Sequence, residues 1–156
     1  MELSESDKTG GDFAPIVKGL YVLTVVEAIE GETEERVWKE AGFVNTGNMI
    51  PQLTLKFWCA TEKGEVEIKN VNGVLLVNPQ YTVWLNDSNL GWNKKANVPK
   101  QGRAVLAALL NRPVDGDISF DRGSDLVGKK MKVYMGLETT KAGKERSVLV
   151  DINPCA

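Results

Sequence analysis

Apolar and polar positions alternate with a period of two along most of this chain, and helical spacing occurs once. The first clear strand is Gly19-Leu20-Tyr21-Val22-Leu23-Thr24-Val25-Val26-Glu27-Ala28. It follows Pro15 and is rich in β-branched and apolar residues, as in a strand buried for most of its length. The second, from Leu53 to Ala60, alternates cleanly. Leu53, Leu55, Phe57 and Cys59 form one face, and Thr54, Lys56 and Trp58 the other. Lys63-Gly64 predicts a turn, residues 65–71 alternate again with Val66 and Ile68 inward, and Asn72-Gly73 is a tight-turn signal. Val74 to Val77 and Tyr81 to Asn86 are short strands separated by Asn78-Pro79. Val83 and Leu85 share the inward face of the latter, and Trp84 falls on its polar face.

Two polar stretches interrupt this series. Residues 30–48 read as a long loop, with a short helix from Glu32 to Ala41 ended by Gly42 and a turn at Thr46-Gly47-Asn48. Residues 87–100 read as a polar loop carrying Trp92, Lys94, Lys95 and Lys100. The one helix with an apolar stripe runs from about Gly102 to Asn111, with Val105, Leu106, Leu109 and Leu110 forming the stripe and Pro113 as its stop. A closing hairpin follows. Met131, Val133, Met135 and Leu137 face inward on its first strand, while Lys130, Lys132 and Tyr134 face outward. Ala142-Gly143 turns the chain, and Val148, Val150 and Ile152 face inward on the return.

The predicted fold is mainly β: a five-stranded oligonucleotide-binding (OB) Greek-key barrel, with the helix between its third and fourth strands and long inserted loops. An antiparallel sheet packed on a single helix fits the order almost as well. Residues 1–12 read as a mobile acidic leader and 13–156 as one OB-like domain, without internal repeats.

Composition narrows the chemistry. With 156 residues the chain can bury a core without disulfides or a structural metal. It has no His and two Cys, Cys59 and Cys155, in no CxxC pair. Histidine-based triads and the common zinc patterns are therefore excluded, and two reduced thiols are expected. Cys59 points into the core, where a thiol is inert. Asp115-Gly116-Asp117 reads as a turn rather than a cation loop. No glycine pattern matches a phosphate-binding loop. Neither an enzyme, a cofactor nor a metal is expected. The acidic, polar N-terminus is no signal peptide, and no apolar run approaches membrane-spanning length, so a cytoplasmic protein is expected (host cytoplasm if viral). The net charge of −2 lends nucleic-acid binding no support, but local charge placement decides that question.

Two stretches resemble the small single-stranded DNA-binding proteins of bacteriophages. One is the opening strand from Gly19 to Ala28. The other is Leu126-Val127-Gly128-Lys129-Lys130-Met131-Lys132-Val133, followed by Gly143-Lys144-Glu145-Arg146 and a strand ending at Pro154. The resemblance covers about a third of the chain and implies an OB barrel that holds single-stranded DNA without sequence preference in phage-type replication or recombination. Many such proteins end in an acidic tail that recruits partners. This chain ends Asn153-Pro154-Cys155-Ala156, so that role is absent or lies elsewhere, as in the leader.

Single-stranded nucleic acid is held by aromatic faces that stack on bases and cations that follow the phosphates. The residues of those types predicted to face outward or to lie in loops are Lys56, Trp58, Trp92, Lys94, Lys130, Lys132, Tyr134 and Arg146. Stacking and packing are evenly balanced for Trp58, Trp84 leans towards packing, and loop context tilts Trp38 and Trp92 towards exposure. Strand lysines also serve as edge protection against aggregation, which fits Lys129, Lys130 and Lys132 equally well. The competing function is a structural or protein-interaction domain, such as a virion component or assembly adaptor, in which the Trp residues meet protein. Replication or recombination proteins and a second copy of the chain stay open as partners.

Overall fold

The computed structural model describes residues 15–40, 42–87, 90–93, 98–116, 118, 120 and 122–155, except for the side chains of Trp38, Trp92 and Asn93. The leader at 1–12 lies outside the described residues.

Five strands form one antiparallel sheet. They are β1 (Gly19–Lys39), β2 (Gly42–Thr61), β5 (Gln80–Asn86), β8 (Lys130–Thr139) and β9 (Glu145–Pro154), in the order β5-β2-β1-β8-β9. Two short ladders accompany it: β3 (Glu67–Lys69) with β4 (Leu75–Val77), and β6 (Trp92–Asn93) with β7 (Val98–Pro99). One helix, α1 (Gln101–Leu110), lies between the third and fourth strands of the large sheet, as the apolar stripe predicts. It packs on β9, β8 and β5. Asn111, in the left-handed conformation, closes it and donates its backbone N–H to Ala108, so the helix ends before Pro113 is reached.

The core follows the period-two pattern. Tyr21, Leu23 and Val25 on β1, Leu55, Phe57 and Cys59 on β2, Val83 and Leu85 on β5, and Met131, Val133 and Met135 on β8 are all buried, facing Val105, Leu106 and Leu109 of α1. Leu137 and Leu110, expected inside, are only half-buried, because each sits where its element leaves the core. Val66 is exposed, since β3 begins only at Glu67.

The Leu126-Val127-Gly128-Lys129 stretch has a structural explanation. Leu126 ends a 3-10 turn (Gly123–Leu126) and is completely buried. Gly128 has a φ of +89°, which glycine adopts without strain. Its N–H donates to the Val25 carbonyl at 2.8 Å, and the Val25 N–H donates to the Lys129 carbonyl at 2.9 Å. The chain thereby enters β8 already paired with β1, next to the irregularity at Val25/Glu27.

Four expectations are corrected. First, residues 30–48 are neither loop nor helix. β1 continues to Lys39, β2 begins at Gly42, and the two pair from Tyr21↔Thr61 to Lys39↔Gly42. The β-branched and aromatic residues Thr33, Val37, Phe43, Val44 and Ile50 outweigh the helix-forming glutamates. Second, Thr46-Gly47-Asn48 is not the turn, which instead passes through Glu40, at a φ of 56°. Those three residues form a bulge inside β2 between the pairs Glu34↔Met49 and Arg36↔Asn45. Two carboxylates hold it: Gly47 N–H donates to Glu34 Oε2 at 3.0 Å, and Thr46 Oγ1 donates to Glu35 Oε1 at 3.1 Å.

Third, the inward alternation expected on β9 holds at Ile152 but fails before it, at Val148 and Val150. A bulge opposite Tyr134/Met135 leaves Leu149 and Ile152 against the core, while Val150 is 64% exposed. Fourth, the sheet is not closed into a barrel. β5 and β9 are its two edges, and clefts of about 460 and 530 Å³ are lined from both of them.

Beyond the reach of β5 and β8, the β1–β2 hairpin continues as a two-stranded arm over residues 31–51, roughly 30 Å long at the rise of a β-strand. Its root is pinned by the 3-10 turn: Gly123 N–H donates to Glu30 Oε1 at 3.3 Å, and a Cβ at Gly123 would lie 2.5 Å from Leu53 Cδ1. Among the described residues, no helix is long and apolar enough to cross a membrane.

Candidate functional site

The sheet's outer face carries the side chains that alternate with the core. Register places them in rows. Gln80, Trp58, Thr24 and Lys130 form one row across β5, β2, β1 and β8. Thr82, Lys56 and Glu27 form the next, followed by Trp84, Thr54 and Ile29. In the other direction come Ala60, Val22 and Lys132, then Leu20 and Tyr134. Trp58 and Lys130 thus stand two strand spacings apart, about 10 Å at the backbone. Trp58 and Trp84 lie on neighbouring strands, offset by four residues or roughly 13 Å along them, with Lys56 and Thr82 between.

Exposure settles how the aromatics are used within the chain. Trp58 is 45% exposed, Trp84 54% and Tyr134 38%, so none is core. Packing was the favoured expectation for Trp84, and its exposure corrects it. The core residues of α1 pack on the opposite side of the sheet, with Val83 and Leu85.

Five of the eight expected residues (Lys56, Trp58, Lys130, Lys132 and Tyr134) share this face. Arg146 stands apart from the Lys130–Tyr134 group, at the start of β9. It lines both seam clefts and there faces Gln80 and Tyr81 of β5. The Trp92 side chain and Lys94 lie outside the described residues; the backbone of Trp92 pairs with Pro99 in the β6–β7 ladder. The Trp38 side chain likewise lies outside them.

Three of the cations are paired with carboxylates. Lys56 Nζ is 3.3 Å from Glu27, Lys132 Nζ 2.8 Å from Glu62, and Arg146 2.7 Å from Glu138. The hydrogen bond and charge of Glu62 raise the pKa of Lys132, keeping it an ammonium. All three pairs are solvent-exposed, and such pairs add little stability and exchange partners readily.

The arm adds a side wall to this face. A cleft of about 270 Å³ at its root is lined by Thr33, Glu34, Arg36 and Ile50 of the arm and by Gln52, Trp84 and Asn86 of the sheet. Asn86 Nδ2 donates to Gln52 Oε1 at 3.1 Å, and the Arg36 guanidinium lies 5.1 Å from the Phe43 ring centroid. Trp84 and Arg36 were not among the expected site residues. The outward phase of Trp84 within Tyr81–Asn86 was the available signal; Arg36 offered none, because its neighbourhood was read as a helix.

Other chemistry is weakly supported. Burial pushes the Cys59 thiol up to about 12, so it stays protonated and unreactive, and Cys155 is exposed and free. Gly116 N–H donates to the Pro113 carbonyl, placing Asp115-Gly116 in a turn; Asp117 lies outside the described residues. Among the described residues, no group of three or more acidic or Cys side chains is placed to hold a metal ion.

No family model matches the chain, and no curated protein matches it either.

Proposed function

We propose that this protein binds single-stranded DNA, without strong sequence preference overall, on the outer face of β2 and β5, and that the five-stranded sheet is a partly open OB barrel. The observation carrying this reading is the pair of exposed indoles, Trp58 and Trp84, on adjacent strands with Lys56 between them. Bases stack on exposed aromatic rings, and the neighbouring cations meet the phosphates. Lys130, Lys132 and Tyr134 extend the track across β1. Of the large sheet's strands taken in chain order, the fifth lies beside the fourth, the fourth beside the first, then the second and third. That order supports a Greek-key arrangement. In an OB fold, the second and third strands and the first connecting loop contribute to the binding surface. Here these correspond to β2, β5 and the arm.

Titration with oligo-dT, followed by Trp fluorescence at low and high salt, tests the proposal. Quenching that weakens steeply with salt is expected, because bound phosphates release counterions. Trp58→Ala and Trp84→Ala should each weaken binding by about 1–3 kcal/mol. Absence of binding at low salt overturns the reading.

A second reading has its own observation. Residues 30–50 hold five glutamates against Arg36 and Lys39, and the arm exposes Phe43, Val44 and Met49. An acidic ribbon with apolar side chains suits a protein partner better than a polyanion. In that reading the chain is an interaction domain and the arm is its contact surface.

A further inference from the structure

We infer that the cleft of about 460 Å³ between β5 and β9 is a phosphate-binding subsite, into which the DNA strand turns after it stacks on Trp84. The inference rests on the single-stranded DNA reading and adds the path that the strand takes beyond β5.

Trp84 lines two clefts, one at the root of the arm and one at the seam, so the phosphate next to a base stacked on its ring has two places to go. Charge separates them. In the arm-root cleft the cation of Arg36 is offset by the carboxylate of Glu34. In the seam cleft Arg146 is present, and no Asp or Glu is among the described residues that line it. The adjoining seam cleft of about 530 Å³ also holds Arg146, but Glu145 lines it as well. A polyanion leaving Trp84 is therefore drawn over the edge of β5 towards Arg146 rather than along the arm.

The rest of the lining suits a phosphate. Gln80, Thr82, Gln101 and Ser147 surround Arg146 with amide and hydroxyl groups, which donate to phosphate oxygens as readily as cations do. Within the large sheet β5 pairs only with β2 and β9 only with β8, so each turns an edge without a ladder towards the seam. Backbone N–H groups are phosphate donors too. Arg146 reaches Glu138 of β8 through Nη2, at 2.7 Å, and Glu138 does not line the cleft. A guanidinium has five N–H donors, so a bond to Glu138 through one nitrogen steadies it and leaves donors for a phosphate. The cleft's volume lies in the range of sites that take small ligands, which is ample for one sugar-phosphate unit.

The test measures how the affinity of the full chain for oligo-dT falls with salt, by fluorescence titration. Each phosphate neutralised on a single strand adds about 0.7 to the slope of log affinity against log salt. Arg146→Gln should lower that slope by about 0.7, whereas Lys144→Gln, which removes an equal charge just outside the cleft, should leave it unchanged. Ser147→Glu keeps Arg146 but sets a carboxylate in the cleft, and should weaken binding by about tenfold, the size of one lost charged hydrogen bond. An unchanged slope in Arg146→Gln overturns the subsite and leaves the broader reading standing. An equal drop in Lys144→Gln does the same, since it marks a diffuse field around the hairpin turn, and so does undiminished binding by Ser147→Glu. Failure of the wild-type chain to bind oligo-dT at low salt overturns both.

Discussion

The sheet and the arm are built from the same two strands, yet different forces hold them. From Gly19 to Val25 and from Leu53 to Cys59, every second side chain enters a core that excludes water from Leu23, Leu55 and Phe57 entirely. From residue 31 to 51 none of the described side chains is buried, and the ribbon depends on its own ladder, the Arg36–Phe43 contact and the carboxylate-held bulge. An isolated two-stranded ribbon is marginal in water. Continuity with a packed sheet is what gives this one its geometry, so a strand can outlast its core when its neighbour does too.

The sharpest way to break the comparison is to delete matched rings. Phe57→Ala should cost about 3–5 kcal/mol in denaturant unfolding, since the side chain is fully buried. Phe43→Ala, at 60% exposure, should lie within about 0.5 kcal/mol of wild type. Equal losses would mean that the arm is packed in solution.

A second prediction uses the core thiol. The folded pKa of Cys59 is raised to about 12 from an ordinary 9.0. Its contribution to stability is therefore fully present below pH 9 and is lost as pH rises towards 12, because only the unfolded thiol ionises in that window. Thiol titration near neutral pH should modify Cys155 at once and Cys59 only as the chain unfolds. Alkaline melts of Cys59→Ala should show a shallower decline with pH than those of wild type.

Next in size is a pair of glycines. At Gly123 a Cβ meets buried Leu53 at 2.5 Å, whereas at Gly136 it meets exposed Val150 at 2.6 Å. Gly123→Ala should lose about 1–3 kcal/mol, as overpacking does. Gly136→Ala should lose less, because Val150 can rotate into solvent. Thermal melts of the two variants test the difference.

The smallest effect belongs to the arm. Glu34→Ala removes the acceptor for Gly47 N–H and should cost no more than about 1 kcal/mol globally. Amide exchange at residues 45–49 should nonetheless accelerate, while exchange at 55–59 stays unchanged.

The same contrast explains what could be read beforehand. Where one face is buried, alternation is enforced, so the strands around Leu23, Phe57, Val83 and Met131 were legible, as was the helix with its Leu106–Leu109 stripe. In the arm neither face is buried among the described residues, and no alternation is required. Glutamates at 32, 34 and 35 then carry a helical propensity that the β1–β2 ladder, with Glu32 opposite Pro51 and Glu34 opposite Met49, overrides. Lys56, Trp58, Lys130, Lys132 and Tyr134 could be placed on one face by counting from buried neighbours. The Trp84–Arg36 cleft could not, because it depends on an arm that propensity hid. The β9 bulge was invisible for a related reason: one extra residue reverses the faces beyond it, and no local residue type announces it.

The pairing of β1 with β8 bears on how the chain is assembled as it is made. β1–β2 and β8–β9 are local hairpins, whereas Thr24 meets Lys130 only after the intervening hundred or so residues exist. At about 5–20 residues per second, the second edge of β1 waits roughly 5–20 s on the ribosome for its partner. Leu23 and Val25 wait with it, still without the methionines that complete their burial. The step that joins the two hairpins closes the longest loop in the sheet and is expected to set the pace of folding.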